Sequence, residues 1–138
     1  SGQNHAETTR ARYENASTSL TVEVQPFIED MAKAYSDADL IICRAGALTV
    51  TEVATAGVAA VFVPLPSAVD DHQTANAKFL EKIGAAKICP QSTMTLDTLK
   101  DVLTPLMNRQ LLMEMAVKAR QHAQPDATQR VVGLIQDL

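Results

Sequence analysis

The chain has 138 residues, of which 46% are hydrophobic and 20% charged, and its formal net charge is −4. This length is typical of one domain, and the apolar fraction is large enough for a folded core, which excludes intrinsic disorder. The negative charge and the aromatic content of only 4% exclude the basic, aromatic surface that usually binds nucleic acid, so we expect no nucleic-acid partner. The longest apolar run, residues 58–65, is far shorter than the roughly 20 residues that cross a bilayer.

The two cysteines, Cys43 and Cys89, each end a strand-like apolar segment, and neither has a second cysteine or a histidine at metal-ligand spacing. We interpret them as buried free thiols of a reducing compartment, with a disulfide or a reactive nucleophile as the alternatives. No positively charged stretch followed by an apolar run opens the chain, so no secretory signal is visible and we expect a cytoplasmic location. The chain begins at Ser1 without an initiator methionine, and we expect it to be a piece of a longer or processed protein.

Along the chain, four short segments with alternating or continuous apolar residues predict β-strands, at Leu20–Val24, Leu40–Cys43, Ala60–Val63 and Ala86–Cys89. Helices are predicted around them at residues 4–15, 28–35, 48–56, 70–83, 95–107 and 110–122, and from residue 125 onward. Two of these helices are followed by glycines in the position of a C-cap, Gly57 and Gly84. In the helix that starts near Thr95, we expect one apolar face formed by Leu96, Leu99, Leu103, Leu106 and Met107.

Short apolar strands that alternate with helices indicate an α/β fold. The pattern predicts a single domain over residues 1–138, a Rossmann-like parallel sheet with helices on both faces. Ligands of such open sheets bind beyond the carboxyl ends of the strands, where loops lead into helix N-termini.

The segment after the second predicted strand, Arg44–Thr49, connects that strand to the next helix and contains small residues and one glycine. Its backbone and the first free N–H groups of the next helix are suited to an anion such as a diphosphate, and Thr49 adds a hydroxyl. The alternative is a tight turn that needs Gly46 for a positive φ and binds nothing. Glu52, three residues after Thr49, either stabilises the helix N-terminus or accepts hydrogen bonds from the hydroxyls of a ribose.

The start of the next helix, residues 70–76, is dense in polar side chains that can reach sugar hydroxyls. Alternatively, Asp71 caps this helix and the other side chains are solvated. His72 has no cysteine, histidine or acid at convincing metal-ligand spacing, and no nucleophilic triad or carboxylate pair is present. We therefore expect no metal, no cofactor and no hydrolytic site.

Three segments in this order, RAGALTVTE (Arg44–Glu52), AGVAAVFVPLP (Ala56–Pro66) and AVDDHQTANA (Ala68–Ala77), resemble the C-terminal half of the MurG family of bacterial transferases. Two further segments, Pro26–Ala47 and Gln124–Thr128, fit the same family, so the resemblance covers nearly the whole chain. It implies the C-terminal lobe of a two-lobed GT-B glycosyltransferase that lacks its first strands. The four predicted strands would be the third to sixth of that lobe.

The resemblance also implies a binding site for UDP-N-acetylglucosamine (UDP-GlcNAc). The nucleotide part would be bound by the uracil loop at Phe27 and Ile28, the diphosphate-facing turn of Ala47, Leu48 and Thr49, and the ribose-binding carboxylate of Glu52. The sugar hydroxyls would be contacted by His72 and Gln73, with Gln73 the better match. Arg44 and Asn76 would have supporting roles.

The family transfers N-acetylglucosamine from UDP-GlcNAc to a lipid-linked muramyl-pentapeptide in peptidoglycan synthesis, by an inverting displacement. Its members lie peripherally at the cytoplasmic face of the inner membrane. Because the acceptor site belongs to the absent lobe, the resemblance implies an inactive chain without a catalytic residue, and its open sheet edges favour self-association. The donor lobe of another transferase with a lipid acceptor and a non-catalytic nucleotide- or partner-binding module are the alternatives.

Overall fold

The computed structural model of the chain describes residues 2–16, 19–66 and 71–136. The helices are α1 (Ala6–Asn15), α2 (Met31–Asp37), α3 (Ala47–Ala56), α4 (His72–Lys82), α5 (Leu96–Leu103), α6 (Arg109–Gln121) and α7 (Ala127–Gln136), and the strands are β1 (Leu40–Cys43), β2 (Ala59–Phe62) and β3 (Ala86–Ile88). Short 3₁₀ turns span Gln3–His5, Gln91–Thr93 and Thr104–Leu106. The chain forms two compact units, Ser1–Ala34 and Tyr35–Leu138, and the whole sheet lies in the second.

The sheet has the order β1-β2-β3, and both strand pairs are parallel. Two main-chain hydrogen bonds extend the pairing past the strand ends, from Val63 N to Cys43 O at 2.8 Å and from Cys89 N to Phe62 O at 2.9 Å. The helices α3 and α4 connect consecutive strands, which is the connection that parallel neighbours require. The three carboxyl ends therefore open on one edge of the sheet.

The central strand β2 is buried along its whole length, and its side chains pack into two hydrophobic cores on opposite faces of the sheet. Ala60 and Phe62 pack in one core with residues of α3 and α4, while Ala59 and Val61 pack in the other with Leu106 and Met115. Because successive side chains of a strand point to opposite faces, a strand buried on both sides shows no polar alternation. The predicted parallel sheet with helices on both faces is confirmed.

The predicted first strand, Leu20–Val24, is wrong, since these residues form no strand and the sheet has, within the described ranges, three strands instead of four. Leu20 is 75% exposed and Val22 is 39% exposed. The main-chain oxygen of Val24 accepts a hydrogen bond from the Arg10 guanidinium at 3.1 Å. Alternation of apolar and polar residues indicates an extended backbone, but an extended backbone becomes a strand only beside a pairing partner.

The helix predicted at residues 70–83 begins at His72, where the Asp71 side chain caps it by accepting from Thr74 N at 3.3 Å. Asp70 lies outside the described residues. The helix predicted at residues 95–107 ends at Leu103, and a 3₁₀ turn containing Pro105 follows. Proline has no N–H to donate to the next helical hydrogen bond. A 3₁₀-helix has three residues per turn instead of 3.6, so the side chains after Leu103 no longer continue the apolar face.

The apolar face predicted for that helix is therefore only partly right. Leu106 is buried, and Leu99 and Leu103 pack against the same core. Leu96 and Met107 are exposed, so their predicted positions in the buried face are wrong. Leu96 is the first helical residue, and Met107 follows the 3₁₀ turn, so neither lies in the regular part of the helix.

Gly57 and Gly84 are confirmed as residues that follow helices in the left-handed conformation, with φ of 69° and 70°. A Cβ on Gly57 would also lie 3.0 Å from the Cβ of Arg120 on α6. We expect Gly57→Ala to lower the free energy of unfolding by about 1–2 kcal/mol, because the left-handed conformation is unfavourable for alanine and its Cβ would lie too close to α6. Thermal unfolding followed by circular dichroism measures this.

The matched control is Gly133→Ala, since a Cβ on this α7 glycine would meet no atom within 4 Å and its φ is not positive. Alanine has the higher helix propensity, so we expect this variant to unfold at an equal or slightly higher temperature. Equal losses in both variants would show that the Gly57 conformation carries no special cost.

Both cysteines are free thiols, as expected, and the disulfide alternative is wrong, but Cys43 is only partly buried. Cys89 is buried, and burial raises the pKa of the Cys43 thiol to about 11, which keeps it protonated and unreactive near neutral pH. Within the part of the chain that the structure describes, no helix is long and apolar enough to cross a membrane.

Candidate functional site

Eight of the ten candidate site residues lie just beyond the carboxyl ends of β1 and β2, one in the β1–α3 loop and seven in the helices α3 and α4. The β1–α3 loop is Arg44–Gly46, and the described part of the β2–α4 loop is Val63–Pro66 together with Asp71. Because β1 and β2 are paired in parallel, these two loops lie next to each other. Residues 67–69, which belong to the predicted loop, lie outside the described residues.

The turn between β1 and α3 does not need its glycine for backbone reasons. Gly46 has φ −62° and ψ 149°, an extended conformation that any residue adopts, so the alternative of a turn requiring a positive φ is wrong. A Cβ built there would meet one neighbouring atom within 4 Å, the Thr49 hydroxyl oxygen at 3.7 Å, in ordinary contact. Among the described residues, no steric contact therefore demands glycine at this position.

The N-terminus of α3 is open toward the carboxyl edge of the sheet. Gly46 is its N-cap and supplies no capping side chain, while its carbonyl accepts the first helical bond from Val50 N at 3.0 Å. The N–H groups of Ala47, Leu48 and Thr49 precede that bond and have no acceptor within the helix. These N–H groups carry the positive end of the helix dipole, so this turn favours an anion.

Two side chains tie the loops around this turn together. The Arg44 guanidinium donates to the carbonyl oxygens of Val63 at 3.1 Å and Pro64 at 3.4 Å, across the β2–α4 loop. The Asn76 amide on α4 donates to the carbonyl oxygen of Ala45 at 3.1 Å. Both side chains bind main-chain atoms, and so they hold the two loops in one arrangement.

Gln73 lies in the first turn of α4 and faces the β2–α4 loop. Its side-chain oxygen accepts a hydrogen bond from Leu65 N at 2.9 Å, which assigns the amide orientation and leaves the NH₂ group as the donor. His72 is the first residue of α4 and is exposed. The structure thus places both residues of the predicted sugar pair at the helix start beside the β1–α3 turn.

Glu52 lies in α3 one turn beyond Thr49, with an exposed side chain, and it is held by a residue that the sequence analysis assigned to no site. The Tyr35 hydroxyl on α2 donates to Glu52 Oε2 at 3.0 Å. In the sequence, Tyr35 belongs to the apolar face predicted for residues 28–35. The sequence does hold one signal for such a contact, the residue type itself, because a tyrosine on a buried helix face usually finds a hydrogen-bond partner for its hydroxyl.

Phe27 and Ile28, the predicted uracil-binding pair, belong to the other compact unit, Ser1–Ala34. Both side chains are exposed there, Phe27 at 73% and Ile28 at 42%. The same unit contains an open cavity of about 370 Å³, and neither residue lines it. The cavity is lined by Arg10, Tyr13, Glu14, Ala16, Leu20, Val22 and Val24.

No group of three or more His, Cys, Asp or Glu side chains among the described residues is placed to hold a metal ion. The groups at the carboxyl edge are main-chain N–H donors, hydroxyls, amides, the Arg44 guanidinium, the His72 imidazole and the carboxylates of Glu52 and Asp71. The N–H, hydroxyl, amide and guanidinium groups of this set are hydrogen-bond donors suited to a polar, negatively charged ligand.

Comparison with known proteins identifies the kind of domain that carries this edge. Residues 1–131 match the model of the glycosyltransferase family 28 C-terminal domain. The chain belongs to this family. The matched region of this family 28 domain contains the whole sheet and all the candidate site residues.

The family 28 domain is closely similar to bacterial transferases. It is 77% identical over 137 residues to the UDP-N-acetylglucosamine–N-acetylmuramyl-(pentapeptide) pyrophosphoryl-undecaprenol N-acetylglucosamine transferase of Acinetobacter baumannii strain SDF, and 76% identical over 137 residues to that of Acinetobacter baylyi. Each alignment covers 99% of this chain and 38% of the relative. The chain thus spans less than two fifths of the length of these curated relatives.

A solved structure shows the same fold. The crystal structure of Acinetobacter baumannii MurG is 76% identical in sequence and superimposes with a TM-score of 0.95 over 99% of this chain and 40% of its own. The resemblance to the MurG family is confirmed, and the family 28 domain has the fold of the C-terminal lobe of a GT-B glycosyltransferase.

Proposed function

We propose that this chain is the UDP-GlcNAc-binding part of a transferase that moves N-acetylglucosamine onto an undecaprenyl-linked muramyl-pentapeptide in peptidoglycan synthesis. The observation that supports this most is the carboxyl edge of the sheet in a family 28 domain. There, an open helix N-terminus, a carboxylate one turn beyond it and a fixed amide donor lie on adjoining elements. We also propose that residues 1–138 belong to one donor-binding lobe.

The diphosphate would bind at the start of α3. The N–H groups of Ala47, Leu48 and Thr49 and the Thr49 hydroxyl supply donors, and glycine at position 46 leaves the backbone accessible. Fixed N–H donors at a helix N-terminus bind phosphate oxygens without reorganisation. This turn is therefore the centre of the proposed site.

The other parts of the nucleotide sugar would be bound by further residues of the chain. Glu52 would accept hydrogen bonds from the ribose 2′- and 3′-hydroxyls, and Phe27 with the backbone of Ile28 would hold the uracil. Gln73, through its NH₂ group, and His72 would contact the sugar hydroxyls. Arg44 and Asn76 would support the site through their loop contacts.

In the complete enzyme, a hydroxyl oxygen of the acceptor would form a bond to the anomeric carbon, and the bond from that carbon to the β-phosphate oxygen would break. UDP leaves with the electron pair, so negative charge grows on the β-phosphate, where the N–H groups of α3 would stabilise it. The proton of the attacking hydroxyl would go to a base outside this chain. This division of roles implies that the chain alone transfers no sugar.

We further propose that the complete enzyme lies peripherally at the cytoplasmic face of the inner membrane and meets its lipid-linked acceptor through its other lobe. The isolated chain would self-associate. Among the described strands, β1 and β3 each pair on one side only, so their outer main-chain groups are available to a second copy.

Isothermal titration calorimetry of the chain with UDP-GlcNAc, UDP-glucose and ADP tests the proposed ligand. We expect UDP-GlcNAc to bind at least about tenfold more tightly than ADP, since the uracil and sugar contacts add to the shared ribose and diphosphate contacts. A smaller preference over UDP-glucose is expected, because the two sugars differ in one substituent.

Equal affinity for UDP-GlcNAc and UDP-glucose would contradict the proposed donor and favour another transferase. Absence of nucleotide binding would overturn the proposal and favour an interaction module. A folded sample by circular dichroism is the control for the integrity of the chain, and light scattering of the same sample measures the proposed self-association.

A further inference from the structure

The hydrogen bond between Tyr35 and Glu52 joins two consecutive helices, α2 and α3, which flank β1 in the sequence. Tyr35 lies in the last turn of α2, and its partly buried ring packs against the core shared by α3 and α4. Glu52 lies in the middle of α3 with an exposed side chain. The 3.0 Å contact between the Tyr35 hydroxyl and Glu52 Oε2 spans 17 residues, so a rigid, packed group holds a flexible, exposed one.

The direction of this hydrogen bond is set by the protonation state of the phenol. Burial first, and then the hydrogen bond and charge of Glu52, raise the pKa of Tyr35 to about 12. Near neutral pH the phenol therefore keeps its proton and donates a hydrogen bond to the carboxylate. A carboxylate has about four acceptor positions on its two oxygens. The bond to Tyr35 uses one, so Oε1 and the second lone pair of Oε2 stay available to a ligand.

An exposed glutamate must otherwise restrict three side-chain torsions when it binds a diol, and this ordering weakens binding. Tyr35 restricts them before the ligand arrives. We propose that Tyr35 is a positioning residue for the ribose contact: its hydroxyl holds the Glu52 carboxylate in place for the 2′- and 3′-hydroxyls of a uridine nucleotide. This inference rests on the proposed function, which assigns the ribose to Glu52.

A purely structural tie between α2 and α3 would have different consequences. Loss of such a tie would lower the stability of the fold and weaken the binding of all nucleotides by the same factor. Positioning of the carboxylate affects only ligands that carry the ribose hydroxyls. The ratio of the affinities for UDP and for its 2′,3′-dideoxy analogue therefore separates the two roles.

The experiment measures both nucleotides by calorimetry on the wild-type chain, Tyr35→Phe, Glu52→Gln and the double variant. Phenylalanine keeps the packed ring and removes only the hydroxyl. We expect the wild type to favour UDP over the dideoxy analogue by about 100-fold, and Tyr35→Phe to reduce that ratio about fivefold with the dideoxy affinity unchanged. In the Glu52→Gln background, adding Tyr35→Phe should change the ratio less than twofold, because the two residues act as one unit.

The matched control is Tyr13→Phe, which alters the other tyrosine of the chain, in the unit Ser1–Ala34. It should leave both affinities unchanged. If the wild type does not distinguish the two nucleotides, the proposed ribose contact is wrong, and with it the proposed function of Glu52. If the wild type distinguishes them and Tyr35→Phe does so equally well, or weakens both nucleotides equally, only the positioning role of Tyr35 is wrong.

Discussion

Replacement of Glu52 by glutamine is expected to weaken UDP binding by this chain about 100-fold. A carboxylate that accepts hydrogen bonds from two ribose hydroxyls makes two charge-assisted hydrogen bonds, each of which contributes about 1.5 kcal/mol to the binding free energy. Glutamine offers one oxygen in place of two and presents an NH₂ group where the second acceptor was. The sum of about 3 kcal/mol corresponds to a loss of about two orders of magnitude in affinity.

The control for the change of charge is Glu81→Gln. Glu81 is exposed near the C-terminal end of α4, and the same substitution there removes one negative charge away from the proposed site. We expect its UDP affinity to stay within about twofold of the wild type. A loss of less than threefold in Glu52→Gln, or similar losses in both variants, would show that Glu52 does not bind the ribose.

The second large effect is expected at Gly46. Gly46→Ala should leave the folded structure intact, because φ is −62° and the added Cβ would meet the Thr49 hydroxyl at an ordinary distance of 3.7 Å. The methyl group would nevertheless stand beside the free N–H groups of α3, where the diphosphate is proposed to bind. We expect UDP affinity to fall at least about tenfold while the unfolding temperature changes by less than about 2 °C.

Gly57→Ala is expected to give the opposite result when UDP affinity and unfolding temperature are measured. It should lower the unfolding temperature and leave the UDP affinity of the folded chain unchanged, since Gly57 follows the C-terminal end of α3, away from its N-terminus. Gly46→Ala with unchanged UDP affinity would argue against phosphate binding at this turn. Together the two glycines separate a requirement of the ligand from a requirement of the backbone.

The sheet and its helices could be predicted because they depend on local patterns. β2 is buried on both faces and therefore has a continuous apolar sequence, and the left-handed glycines after α3 and near the end of α4 appear as single residues after periodic segments. The segment Leu20–Val24 shows where such patterns end. Its alternation indicates an extended backbone, but whether that backbone pairs depends on a neighbour that the local sequence does not encode.

The positions of Glu52 and Gln73 also follow from the sequence, because strand ends and helix starts place them at the carboxyl edge. The contacts that order this edge were decided only by the tertiary structure: Tyr35 with Glu52, Arg44 with Val63 and Pro64, and Asn76 with Ala45. Each of these contacts joins residues at least 17 positions apart. Periodicity reports which face of an element is buried, whereas the partner of a polar group depends on how separate elements pack together.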